Sequence, residues 1–399
     1  MNYSLSRRSF LKASTAIALS QLLISCGNSK EIFQILFLAN SIPIQLIGDF
    51  RKAIKSEGKV KFQPQSQLSQ TFDSLLNLST GKQADSQIKN LLNKIFNKSK
   101  TSPHLIGLGD SWLSLAIENN LLQPLEVESL TNWHKLSPAW QKLVRRNSQG
   151  NVTVEGEIYA APYRWGSTVI AYRSDKLNKL GLTISDWQDL WQPQLKDRLS
   201  LLDSPRETIG LTLKKLGYSY NTDDLALITN LESELGVLDR QVKFYSSDRY
   251  LEPLILGDTW VAVGWSNDVL SAAKRYPEIK FVIPDSGVSL WADLWVKPLV
   301  DRSSEAESKD FNTLVDKWLD FCMSDKAAKQ ISLFTKGVSP ILLSTKPEDL
   351  PKDLQKNLLL NSEVIKSNKS EFLLPQTPET AKQYRDLWLK IRGGEGETG

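Results

Sequence analysis

The sequence predicts an α/β fold of two lobes, and three observations carry that expectation. Short apolar runs of strand character alternate with segments of helical spacing, the pattern of βαβ units and of a mainly parallel sheet. A chain of 399 residues holds about two domains of 100–200 residues each. No repeat, long linker or low-complexity tract divides it, so the lobes are expected to be joined by strands rather than by a flexible tether.

The first lobe begins with Ile32–Leu38, a continuous apolar run that reads as a buried strand. Pro43–Lys55 carries helical spacing through Ile44, Ile47, Phe50 and Ile54, and Lys59–Phe62 is a second short strand. Residues 71–99 read as helical on either side of a polar turn at Gly81–Ser86. Leu105–Leu108 is a strand, followed by a helix over Ser111–Asn119 with Asp110 as its N-cap. Farther on, Ile158–Tyr163 and Thr168–Tyr172 read as two strands flanking a joint at Trp165-Gly166. The second α/β stretch runs through strand Leu199–Leu202, helix Glu207–Leu216, strand Trp260–Gly264, helix Asn267–Tyr276 and strand Phe281–Ile283. A strand signal at Leu294–Val296 precedes helices at Phe311–Met323 and Ala327–Phe334, and the Gly-rich end from Gly393 is expected to be disordered.

Composition narrows the chemistry. Cys26 and Cys322 are the only thiols and His104 and His134 the only imidazoles, which excludes a Cys/His zinc cluster, a disulfide framework and a Cys-x-x-Cys redox centre. Neither a resident metal nor a cofactor is expected. Ile106-Gly107-Leu108-Gly109-Asp110-Ser111-Trp112 follows a strand, but Trp112 stands where a dinucleotide fingerprint needs its third glycine, so it reads as a glycine-rich turn. There is no phosphate-binding Gly-x-x-x-x-Gly-Lys-Ser/Thr loop and no Gly-x-Ser-x-Gly elbow. His104 and His134 read as structural or surface residues. A glycosidase-like pair of carboxylates is open to any acidic cleft, so a secreted hydrolase stays as an alternative to the expected non-enzymatic binder.

The N-terminus reads as an address. Ser6-Arg7-Arg8-Ser9-Phe10-Leu11-Lys12 precedes the uncharged run Ala13–Ser25, which has signal-peptide grammar and is too short to span a bilayer. The paired arginines resemble a twin-arginine export signal, and Leu23-Ile24-Ser25-Cys26 resembles a bacterial lipobox, so residues 1–25 are expected to be removed and Cys26 lipidated. The mature chain would then act in the periplasm, anchored to a membrane. Removing three cations and no acids from 49 Lys+Arg and 45 Asp+Glu leaves a net +1, which gives no reason to expect nucleic-acid binding.

Several motifs recur in a characteristic order: Ala161–Tyr172, Trp187–Trp191, Leu201–Glu207, Leu216–Ser219, Gly257-Asp258, Val263–Asn267 and Gly287–Asp293. From about residue 155 to 300 this series resembles the spermidine/putrescine-binding proteins of bacterial ABC importers. The resemblance implies a type II periplasmic-binding-protein fold, with lobes joined by crossover strands and a ligand cleft between them. Lobe one is then expected at residues 26–163 and 297–345, lobe two at 164–296 and 346–392, with 393–399 as a tail. Arg164, Trp165 and Gly166 become the expected hinge, with Ala292–Val296 as a second joint.

The resemblance also implies a site. A polyamine needs carboxylates at its ammonium groups and aromatic faces along its methylenes. By position, Glu207 and Asp293 are expected on the ammonium groups, with Trp265 and Trp291 sandwiching the chain. Asp203, Asp268 and Asp110 are possible helpers, although Asp110 is already explained as a cap. Ser204 stands where the family commonly has a second acid, and Ala39–Pro43 and Val338 stand where it has aromatic or hydroxyl groups. A monomeric receptor is therefore expected, delivering a polyamine-like cation to a permease served by a separate ATPase subunit. Another amine, an amino-acid-like compound or a metal ion is the alternative cargo.

Overall fold

A computed structural model describes residues 32–55, 57–80, 102–300 and 305–393. The expected signal peptide, Cys26, the Gly81–Ser86 turn, the helix beyond it and the tail after Gly393 lie outside these residues.

The strands, in chain order, are β1 (Phe33–Leu38), β2 (Val60–Gln65), β3 (Leu105–Gly109), β4 (Leu122–Gln123), β5 (Arg145–Arg146), β6 (Glu157–Ile158), β7 (Ala160–Arg173), β8 (Leu199–Leu201), β9 (Val242–Tyr245), β10 (Val261–Trp265), β11 (Ile279–Val282), β12 (Ser289–Pro298) and β13 (Glu371–Phe372). Eleven of them form one sheet with the central order β2-β1-β3-β12-β7-β10-β8-β9. The two ends behave as the βαβ pattern predicts: β1 pairs in parallel with β2 and β3, and β8 pairs in parallel with β9 and β10. The centre corrects the expectation of a mainly parallel sheet. β12 runs antiparallel to both β3 and β7, and β7 runs antiparallel to β10. Two parallel wings are therefore sewn together by two long antiparallel crossover strands.

The second correction concerns β7. Two strands meeting at Trp165-Gly166 were the expectation, whereas the chain forms a single strand of 14 residues whose first twelve are buried. Nothing breaks it, because each residue at the expected joint is held. Trp165 and Val338 exchange backbone hydrogen bonds of 2.8 Å in both directions, while Arg164, Trp165 and Gly166 sit opposite Asp293, Ala292 and Trp291 of β12. β12 likewise extends well beyond the apolar signal at Leu294–Val296.

Aromatic packing fills the first wing. Trp318 meets Phe50 at 4.8 Å between ring centroids, and Trp295 stacks on Tyr163 at 4.5 Å. His104 is buried there and accepts the Gln34 backbone N–H at Nδ1, the structural role expected of it. In the second wing, the helix Pro378–Gly393 packs Tyr384 against Ile209, Leu213 and Leu235. Among the described residues no helix is long and apolar enough to cross a membrane.

Candidate functional site

The start of β12 opens on a cleft of about 290 Å³, and its walls come from distant parts of the chain. Asp110, Ser111 and Ser114 line one side, Ser204, Arg206, Glu207 and Trp265 another, and Leu290, Trp291 and residues 373–376 complete it. Five of the expected residues, Glu207, Trp265, Trp291, Ser204 and Asp110, thus converge on one space.

Glu207 owes its position to a helix start. Ser204 is the N-cap of the helix Pro205–Lys215; its side chain accepts the Glu207 N–H at 3.4 Å, and proline occupies the first helical position. That fixes Glu207 in the first turn, where a carboxylate is favoured by the helix dipole. The side chain does not pair with its neighbour Arg206. Instead, Oε2 accepts the hydroxyls of Thr168 at 2.9 Å and Ser289 at 2.6 Å, one from each crossover strand. Burial pushes the carboxyl upward, and the two hydroxyls and the Arg206 charge oppose that shift. Among the described residues Oε1 accepts no hydrogen bond, and the residue lines the cleft.

The indoles are set by the same strands. Trp291 lies opposite Gly166, and a Cβ at Gly166 would stand 2.3 Å from Cζ2 of Trp291. Only glycine leaves room for the ring there. Trp291 Nε1 donates to the Ser167 carbonyl at 3.3 Å. Trp265 ends β10, its backbone N–H donating to the Tyr250 hydroxyl at 2.9 Å. Two partly exposed indole faces and a buried carboxylate make a wall suited to a cation on an apolar stem.

The remaining acids are arranged differently from expectation. Asp110 is no N-cap: neither the 3-10 turn it opens nor the helix Leu113–Glu118 has a side-chain cap. Because Gly109 pairs with Asp293, the carboxylate is carried to β12, where Oδ1 accepts the Ala292 N–H at 3.1 Å. Burial is the main force raising its pKa to about 7; the Ala292 bond lowers it, Asp293 raises it further and Arg146 lowers it. Asp293 itself does not line the cleft. It is buried and its Oδ2 is held by Arg164, with Nη2 at 2.5 Å and Nε at 2.7 Å. Asp268 is drawn aside as well, accepting the Tyr250 hydroxyl at 3.0 Å and the Asn267 amide at 2.7 Å. Asp203 is exposed and off the cleft, although its carbonyl accepts the Ser247 hydroxyl.

One wall was missed by sequence reasoning. β13 pairs in parallel with Ser289-Leu290 and delivers Leu373-Leu374-Pro375-Gln376 to the cleft. Arg206 holds this loop by donating to the Leu374 carbonyl at 3.3 Å and to Asn221 at 3.0 Å. Gln376 Nε2 is buried with no hydrogen-bond partner among the described residues. No periodicity or motif marks the segment, and only the Pro-Gln-Thr-Pro run signals an irregular connection.

A two-winged α/β molecule with crossover strands and a polar-aromatic cleft at their meeting point has the build of a solute receptor. Residues 101–366 match the family described as bacterial extracellular solute-binding protein, and the chain belongs to that family. Among its relatives is the spermidine/putrescine-binding periplasmic protein of Salmonella typhimurium, 30% identical over 198 residues, which are 50% of this chain and 54% of that one. The protein of the same name from Escherichia coli is 26% identical over 277 residues, 69% of this chain and 74% of the other. The match to the first of these therefore spans about half of the relative's length. In structure, the spermidine/putrescine ABC transporter substrate-binding protein PotD of Streptococcus pneumoniae superposes with a TM-score of 0.72 at 18% identity, covering 91% of this chain and 99% of that one. That likeness establishes the two-lobed periplasmic-binding-protein fold.

Proposed function

We propose that this protein is the substrate-binding component of an ABC importer and that it takes a polyamine-like cationic amine. The observation that carries the reading is the cleft wall that unites Trp265 and Trp291 with the hydroxyl-anchored carboxylate of Glu207. An ammonium group meets the carboxylate, and the indoles cover the methylenes at about 0.5–2 kcal/mol each. The relatives that are spermidine/putrescine-binding proteins support the same ligand class. A permease and a separate ATPase subunit are the partners, and the protein acts by binding and release rather than by turnover.

Lobe one comprises residues 26–163 and 297–345, and lobe two 164–296 and 346–392. The packing of Pro378–Gly393 on helices of the second wing supports this division. Closure turns on Arg164–Gly166 and Ala292–Val296, inside the crossover strands. The Arg7-Arg8 motif and Cys26 support export by the twin-arginine route and lipid anchoring in the periplasm.

A thermal-shift and calorimetric screen of the mature chain against polyamines, amino acids, sugars and metal ions tests the reading. A polyamine present at 100 times its Kd stabilises the protein by about 2.7 kcal/mol. Stabilisation by another class alone overturns the ligand, and consumption of a stabilising ligand overturns the non-enzymatic role.

A further inference from the structure

We propose that Arg164 is a specificity-determining residue: its guanidinium occupies Asp293 in place of a ligand ammonium, leaving a cleft that reads a diammonium through Glu207 and Asp110 in preference to a triammonium. The inference deepens the amine-binding function proposed above and rests on it.

The seat for this arginine is built rather than incidental. Both members of the pair are almost wholly inside the protein, 3% and 1% exposed for Arg164 and Asp293. Arg164 faces Asp293 across the β7/β12 ladder, and both of its contacts go to Oδ2. Its stem runs over Gly337, where a Cβ would come within 2.5 Å of Cγ and 2.7 Å of Cδ. Its guanidinium lies 5.4 Å from the centroid of the Trp291 ring. Three features thus accommodate one side chain: a carboxylate to receive it, an indole beside it and a glycine beneath it.

A guanidinium does not deprotonate in a protein, so the cation at Asp293 is permanent. A ligand ammonium could reach this carboxylate only by displacing Arg164 and leaving a buried charge without its partner, a costly exchange. Neither member of the pair lines the cleft, whereas Trp291, beside them, does. The acids that do line it are Glu207 and Asp110. Ser204 is neutral and Asp203 is exposed away from the cleft. Two carboxylates on the walls match two ammonium groups, and a third ammonium has no carboxylate to meet.

Calorimetry with putrescine and spermidine on three proteins tests this: the wild type, Arg164→Leu, and the charge-free double variant Arg164→Leu/Asp293→Asn. The wild type is expected to bind putrescine more tightly than spermidine. Arg164→Leu uncovers Asp293 and should shift the preference toward spermidine about tenfold, the worth of one charged hydrogen bond. The double variant should lose that shift and keep the wild type's preference between the two amines within about threefold, since removing both members leaves no unpaired charge. A preference in Arg164→Leu that stays at the wild-type value overturns the proposal. So does a double variant whose preference between the two amines departs from the wild type's by about tenfold or more, because Asp293 would then be touching the ligand. If Arg164→Leu does not fold, the double variant decides alone. Should the wild type bind no amine, the functional reading and this inference fall together; an unchanged preference among amines that do bind removes only the inference.

Discussion

Glu207 shows how one residue type acquires a role through its surroundings. As a sequence letter beside Arg206 it has the look of a local ion pair, yet the side chain takes its hydrogen bonds from Thr168 and Ser289. Glu207→Gln keeps the size and the hydrogen-bonding capacity while removing the charge. It is expected to weaken amine binding by about tenfold or more while the thermal midpoint moves little, read by calorimetry alongside a melting curve. Asp110 carries a second prediction. Its carboxyl is pushed up to about 7, chiefly by burial, so the folded protein holds a proton there that an unfolded aspartate has already lost. Where the native state binds more protons, stability falls as pH rises, here across the window from the ordinary aspartate range up to about 7. Asp110→Asn should flatten that slope in melts taken at pH 4.5, 6 and 7.5 (about the window's ends and middle). A slope identical to the wild type would reject the assignment. Over the same window amine affinity should climb, because an ammonium prefers the ionised carboxylate.

At the level of elements, β7 and β12 carry both the architecture and the site. Their register sets Trp291 across Gly166, and the ring occupies the space that any Cβ would need. Gly166→Ala is therefore expected to cost about 1–3 kcal/mol by overpacking and to displace the indole from the cleft. Denaturant melts and intrinsic tryptophan fluorescence would report both effects; an unmoved melting curve with intact amine binding would contradict this role. The helix Pro205–Lys215 offers a milder test. Ser204→Ala removes its N-cap and should cost about 1 kcal/mol, with some loss of amine affinity because the first turn that aims Glu207 frays. The same elements explain why the Trp165-Gly166 joint was misread as a break. A small residue next to a large one looks like an interruption of strand pattern, but the large residue is buried against Trp140 and paired with Val338, and the small one makes room for a ring. Asp110 was misread for a related reason. An acid just before a helical run has the chemistry of a cap, while the antiparallel neighbour that takes it, Ala292, lies 182 residues away.

Across the whole molecule, closure of the proposed lobes around an amine is expected to reduce the radius of gyration, measurable by small-angle scattering with and without putrescine; an unchanged profile at saturation would argue against closure. The wings were legible in the sequence because their information is local. Apolar runs of strand length, helical spacing and cap chemistry marked β1, β3, β8, β10 and most of their helices, and the ordered motifs brought Glu207, Trp265 and Trp291 to notice. Local pattern is silent about partners. That β7 and β12 run antiparallel between two parallel wings, that the irregular Leu373–Gln376 segment closes the cleft, and that Asp293 is already satisfied by Arg164 are facts of register and distance between residues far apart in the chain. The sequence by itself determined the class of fold and the chemistry of the cleft's aromatic wall. Tertiary structure alone decided which acids face the cleft, because a carboxylate's role depends on whether a cation or a hydroxyl from another element reaches it first, and no spacing along one chain records that encounter.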